Sequence, residues 1–184
     1  MFIQTEQTPN PNSLKFLPGE TVMAQGTADF RSVDTASNSP LAKRFFRLDG
    51  VEGVFFGSDF ISITKADDKE WMVMKPLILG LIMEHFTTGA PLFEGNADST
   101  SAPADGEDDE ITKQIKELLD TRIRPAVAMD GGDIVFESFN NGVVYLQLQG
   151  ACAGCPSSTV TLKAGIENML RHYVPEVMEV RAVA

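Results

Sequence analysis

The sequence predicts an α+β protein of two small domains, each a mixed or antiparallel sheet packed with helices, joined by an acidic flexible linker. Three observations predict this. Short segments of period-2 hydrophobicity are interspersed with segments of helical period, without the regular strand–helix alternation of a parallel α/β fold. Composition changes sharply after Phe93, where "EGNADSTSAPADGEDDE" carries no large apolar residue and cannot bury enough surface to offset its ordering entropy. Helix punctuation stands on both sides of that stretch: Ser39-Pro40, Gly50 and Gly89 before it, and Pro156 as a first helical residue after it. The expected division is residues 1–93, a linker at 94–109, and residues 110–184.

In the first domain, "FIQTEQ" and "SLKFLPG" alternate in part and are joined by the turn-rich "TPNPN", which suggests a β-hairpin. "SPLAKRFFRLDG" reads as a short helix: Ser39 can cap it, Pro40 suits the first helical position, and Gly50 follows its end. Two strands are expected around Gly57–Asp59, in "GVFFGSDFISITKAD". "EWMVMKPLILGLIMEHFTTG" is a longer helix, apolar on most sides and stopped by Gly89, with Pro76 either kinking it or lying early in its first turn. The methionines of "WMVMK" read as core filler. "TPNPN" and the later "DGGD" read as turn chemistry.

The second domain opens with a helix on which Ile111, Ile115, Leu118 and Leu119 share a face. Its acidic start, Glu107 to Glu110, suits the positive end of the helix dipole, and Pro125 is expected to kink or end it. A hairpin follows, turning at Asn141-Gly142, where both residue types tolerate positive φ. Ile134, Phe136 and Ser138 share one strand face, and Val144, Leu146 and Leu148 share a face of the next strand. A helix from Pro156 carries Leu162, Ile166, Met169, Leu170 and Tyr173 in line, and "VMEVRAV" adds a last strand, giving the order α-β-β-α-β.

Charge and composition bound the function. The net charge is −11. Seven acidic residues and no basic ones lie between Glu94 and Glu110, while the flanks carry 8 basic with 11 acidic and 7 basic with 8 acidic. Neither flank is thus a basic nucleic-acid surface. The longest apolar run, "PLILGLIM", is shorter than the ~20 residues of a membrane-spanning helix, so no membrane association is expected. The first residues lack the pattern of a secretory or transit signal, and the expectation is a soluble intracellular protein.

"GACAGCPSSTV" holds the two cysteines of the chain, Cys152 and Cys155. The loop joins a strand to a helix, where sites are usually exposed. Gly150 and Gly154 permit backbone turns closed to other residues and bring N–H groups near the sulfurs. Pro156 as first helical residue puts Cys155 near the N-cap, where the dipole favours the metal-binding thiolate. A tetrahedral zinc or a [4Fe–4S] cluster wants four thiolate or imidazole ligands. The two histidines do not complete the set: His85 belongs to the other domain, and His172 lies near the far end of the helix. One chain supplies half a site, and two chains meeting at this loop supply a whole one. A thioredoxin-like thiol–disulfide pair, structural zinc between two chains and an inert pair remain as alternatives. Against the redox pair stand the antiparallel hairpin before the loop, with no βαβ unit preceding it, and the lack of an aromatic residue beside Cys152.

"MDGGDIVF" followed by "LQGACAGCPSSTVTLKAGIENML" resembles the C-terminal domain of NifU and the Nfu iron–sulfur scaffold proteins, over roughly Glu110 to Val183. "QTEQTPNPNSLKFLPG", "VEGVFFGSDFISITK" and "MVMKPLILGLIMEHF" resemble the N-terminal domain of mitochondrial and α-proteobacterial members. The resemblance implies a carrier, not an enzyme. Cys152 and Cys155 would hold a [4Fe–4S] cluster bridged between two subunits, with [2Fe–2S] as the other cluster type. The implied partners are a second copy of the chain, upstream cluster assembly proteins, and apo iron–sulfur enzymes such as lipoyl synthase or aconitase-type targets. The cysteine-free N-terminal domain would recognise targets or steer its neighbour. A family domain starting almost at Met1 suggests a bacterial cytoplasm, with the mitochondrial matrix as the alternative for a mature eukaryotic form.

Overall fold

The computed structural model describes residues 1–94, 109–153 and 156–183. The chain divides into two compact units, Met1–Thr100 and Ser101–Ala184. Most of the stretch read as a linker lies outside the described residues.

Unit 1 holds five strands and two helices. These are β1 (Gln4–Gln7), β2 (Ser13–Leu17), β3 (Ala28–Phe30), α1 (Pro40–Phe46), β4 (Val51–Phe56), β5 (Ile61–Lys65) and α2 (Trp71–Thr88). The sheet order is β1-β2-β5-β4-β3, and every neighbouring pair is antiparallel. Period-2 alternation delivers one side of it to the core: Phe16 and Phe56 flank Ile61, and Leu14 and Val54 flank Ile63. Helix α1 starts as its sequence dictates. Ser39 Oγ accepts from the Ala42 N–H at 3.3 Å and donates to the Leu92 carbonyl at 2.7 Å, with Pro40 in the first turn. "TPNPN" is turn chemistry: the Asn10 side chain accepts from the Asn12 N–H at 3.0 Å, and Thr8 Oγ1 from the Asn10 N–H at 3.2 Å.

Helix α2 contains Pro76 and ends at Gly89, whose φ of 64° lets the chain leave the helix left-handed. It buries Met74, Ile78, Ile82 and His85, spaced to fall on one face. The opposite face is also apolar and is exposed: Met72 is 89% accessible and Val73 68%. Reading "WMVMK" as core filler is therefore right for Met74 and wrong for Met72. A helix apolar all round does not announce which side it buries.

Unit 2 runs α3 (Glu110–Leu118), a π-helical turn (Leu119–Ile123), α4 (Arg124–Met129), β6 (Gly132–Asn140), β7 (Val143–Gly150), α5 (Pro156–Tyr173) and β8 (Glu179–Val183). Asp109 caps α3 by accepting from the Thr112 N–H at 2.9 Å, and that bond holds its carboxyl below the usual range. Pro125 does not end the helical run. It sits at the start of α4, and the preceding π turn closes with the Arg124 N–H on the Leu119 carbonyl. The π turn also solves a phase problem. The buried residues Ile115, Leu119, Ile123 and Val127 recur every fourth position. Four-residue steps precess ~40° each around a 3.6-residue helix, and the wider turn takes up that drift.

Sheet order is β6-β7-β8, with β6/β7 antiparallel and β7/β8 parallel. The expected hairpin turn is present, with φ of 51° at Asn141 and 81° at Gly142. Ile134 lies opposite Leu148 and Phe136 opposite Leu146, after which the register shifts at a bulge. Phe139, not Ser138, then faces Val144. Ile166 and Leu170 of α5 join the core, whereas Tyr173 is 46% accessible and carries the Arg122 guanidinium 5.0 Å over its ring. Among the described residues, no helix is long and apolar enough to cross a membrane.

Candidate metal centre

The cysteine loop leaves the end of β7. Gly150, the last strand residue, has φ 62°, and two bonds close the turn behind it: the Ala151 N–H donates to the Gly131 carbonyl at 3.2 Å, and the Ala153 N–H to the Gly150 carbonyl at 3.1 Å. Cys152 is 6% accessible and packs with the core of unit 2. The exposure expected of a residue at an element end does not hold for it. Gly154 and Cys155 lie outside the described residues, and with them the expected place of Cys155 beside the N-cap. Helix α5 does begin at Pro156.

What seats Cys152 is a glycine twenty positions earlier. A β-carbon on Gly132 would lie 2.5 Å from Cys152 Sγ and 2.7 Å from the Gln149 carbonyl oxygen. No side chain fits there. Gly132 is the register partner of Gly150, so "DGG" and "QGAC" are laid against each other by the β6–β7 ladder. The "DGGD" motif thus exceeds the turn chemistry assigned to it. Gly131, with φ 80°, makes the turn; Gly132 makes room for the sulfur. Asp133, 3% accessible, ties the strand to the helical run: Oδ1 accepts from Arg124 Nε at 2.9 Å and from the Ile134 N–H at 2.8 Å, and Oδ2 from Arg124 Nη2 at 2.8 Å. Arg124 also reaches Asp120 at 3.1 Å, and these bonds raise its pKa further above the ordinary guanidinium value. Spacing alone hid Gly132 and Arg124; the paired glycines of "DGGD", more than one turn needs, were the available signal.

The histidines stay apart from the loop. His85 is buried on α2 in unit 1, and burial, with the Arg44 charge adding to it, pushes its pKa below 6.5. His172 lies in the last turn of α5, ~24 Å along the axis from Pro156 at the rise of an α-helix, with its ring edge-on to Tyr173. Among the described residues no three His, Cys, Asp or Glu side chains converge on a metal position. The two cysteines of the chain, Cys152 and Cys155, remain the candidate donors to a soft metal centre. The antiparallel β6–β7 hairpin expected before the loop is present, with no strand–helix–strand unit preceding it, and the loop itself opens a β7–α5–β8 unit with parallel strands, a setting that also suits a redox pair.

Fold and loop define a class: a two-unit α+β chain with a cysteine pair where a strand of its second unit meets a helix. Residues 3–89 match the family described as scaffold protein Nfu/NifU N terminal, and residues 115–181 match the NifU-like domain. The chain belongs to the Nfu/NifU-like iron–sulfur cluster scaffold family. It is 52% identical over all of its length to the NFU1 iron-sulfur cluster scaffold homolog, mitochondrial, of Homo sapiens, covering 72% of that protein. It is 55% identical to the protein of the same name from Drosophila willistoni, of which it spans 64%. A solution NMR structure of a NifU-like protein from Saccharomyces cerevisiae, 28% identical, matches with a TM-score of 0.46 over 50% of this chain and 83% of that one. Both named scaffold homologues are designated mitochondrial; the bacterial cytoplasm expected from the sequence finds no support in those names.

Proposed function

We propose that the chain carries a [4Fe–4S] cluster held jointly by two copies, Cys152 and Cys155 from each, and transfers it to apo iron–sulfur proteins. The observation that carries this reading is the ligand count. Two cysteines form the whole thiolate set of the chain, no other ligand cluster exists among the described residues, and a cubane takes four. The cluster is cargo, and the chain's part is to hold it loosely. Transfer is ligand exchange: a recipient thiolate bonds to an iron atom as the iron–sulfur bond to Cys152 or Cys155 breaks. Cysteine thiolate leaves with its electron pair, and no oxidation state changes. Nothing in this requires a catalytic acid, base or nucleophile, so the chain acts as a carrier and not as an enzyme. The mitochondrial designation of the relatives supports the matrix as its setting.

The decisive experiment is anaerobic reconstitution with iron and sulfide, followed by sizing of the apo and loaded chain. The expected result is a brown protein with about four irons per dimer. A monomer that retains the cluster stoichiometrically would overturn the reading. Because the parallel β7–α5–β8 unit also suits thiol–disulfide exchange, metal-free reduction of a disulfide substrate is measured beside it, and activity there would favour the redox alternative.

A further inference from the structure

The β6–β7 hairpin holds two registers. Next to the turn, Asn140 faces Val143 and Phe139 faces Val144; beyond the bulge, Phe136 faces Leu146 and Gly132 faces Gly150, one residue out of step. Had the turn's register run on unbroken, Val135 would face Leu148 and Asp133 would face Gly150. Paired residues share a face of the sheet, so Asp133 would then replace Gly132 beside the Cys152 sulfur, where no side chain fits. The seat of Cys152 therefore depends on the bulge being kept.

Side-chain pattern defends the bulged register along most of the strand, because the unbroken one would turn exposed Glu137 toward the core opposite Leu146. At the cysteine end that defence lapses. Gly131 and Gly132 carry no side chain to prefer a face, and glycine-rich strands slip readily. Asp133 is the first residue of β6 with a side chain, and Arg124 holds it by two bonds, at 2.9 and 2.8 Å. Arg124 is fixed in turn, by its own N–H on the Leu119 carbonyl and by Asp120. Such a fork is directional: a strand moved by one residue, ~3.4 Å, loses both bonds. Stability alone does not account for it, since a buried ion pair is commonly no better than apolar residues of the same size. What the pair adds is a fixed arrangement. We propose that Arg124 and Asp133 are positioning residues for Cys152, their fork pinning the register of β6 that leaves Gly132 beneath the sulfur. What the seat serves rests on the cluster-carrying reading; the pinning itself is a property of the chain without metal.

The test is the rate at which iodoacetamide alkylates Cys152, metal-free and under folding conditions, in full-length Cys155→Ala so that a single thiol reacts. C155A/D133N, C155A/R124K and C155A/V180A are measured beside it, with the urea stability of each. Val180 is buried on β8, separated from β6 by β7, so V180A lowers the stability of unit 2 without touching the fork. Pinning predicts that D133N and R124K each raise the rate roughly tenfold over the parent, and by more than V180A does for the same loss of stability. It also predicts that nuclear Overhauser contacts of a Val135–Leu148 pairing join those of Ile134–Leu148 in D133N. R124K keeps the charge and can keep one bond, so the question stays answerable if D133N does not fold. Rates in D133N and R124K that match V180A at equal stability would overturn the pinning and leave the fork a structural pair. Faster alkylation with Ile134–Leu148 contacts alone would overturn the change of register, and the proposal with it. Because no metal enters these measurements, a monomer that loads iron would sink cluster sharing and leave this result standing.

Discussion

Cys152 Sγ occupies the space where a side chain of Gly132 would begin, 2.5 Å from the position of its β-carbon. The backbone of Gly132 is in the ordinary strand region, so the demand for glycine there is one of space. Gly132→Ala is expected to overpack the site at a cost of about 1–3 kcal/mol and to push Cys152 out of its seat. The checks are the urea midpoint and the iron content after reconstitution. Unchanged values of both would show that the contact does not seat the sulfur.

Cys152→Ala and Cys155→Ala are each expected to abolish loading, read as loss of the visible absorption band and of bound iron. Only the first has a stability cost that the structure explains, about 1 kcal/mol for the sulfur removed from the core beside Gly132. Retention of full iron by either variant would refute the ligand assignment.

Asp133→Asn removes a buried carboxylate from a forked Arg124 pair. Because the Arg124 side chain is 36% accessible, the guanidinium left behind is partly hydrated, and the expected loss is about 1–3 kcal/mol rather than the larger cost of a fully buried orphan. Both tyrosines, Tyr145 and Tyr173, belong to unit 2, so the near-ultraviolet tyrosine signal follows this loss. Arg124→Lys, which cannot reproduce the fork, should rescue little. A stability equal to wild type in either variant would show that the fork does not anchor β6.

His85 predicts a pH dependence of unit 1. Its folded-state pKa lies below the ordinary 6.5, because burial and Arg44 both oppose the charged form. Above that value both states are neutral at this site and it contributes no slope. As the pH falls below ~6.5 the unfolded chain takes up the proton first, so stability declines, and the decline levels off only beneath the folded value. Trp71, the single tryptophan, reports unit 1 alone. Its fluorescence midpoint in urea should fall between pH 7.5 and 5.5, and His85→Gln should flatten the fall. An identical slope in the variant would exclude His85 as its source.

Local chemistry is what the sequence displayed. Ser39-Pro40 at the start of α1, Gly89 after α2 and Asn141-Gly142 in the hairpin each act within a few residues, and each stands where its residue type requires. Strand β3 escaped notice because three residues show no period; it exists through its pairing with β4. The parallel partnership of β7 with β8 is a relation across an intervening helix, invisible to any window of pattern. The cysteines themselves were plain, whereas the glycine beneath Cys152 was not, since contacts between positions twenty apart leave no mark on periodicity. For α2 the pattern was present and ambiguous, both faces being apolar.

The hairpin turn has a further consequence. The Gly142 carbonyl accepts from the N–H groups of Met178 and Glu179, at 2.7 and 3.2 Å, and so fastens the returning chain at the end of β7 opposite Cys152. An eight-residue strand spans ~26 Å, which sets the clamp well away from Cys152. Amide deuteration should therefore be graded along β7, slowest toward Val144 and quickest at Gly150, and nearly indifferent to whether iron is present. The cohesion of unit 2 is thus supplied by the chain's own backbone and owes nothing to a bound metal.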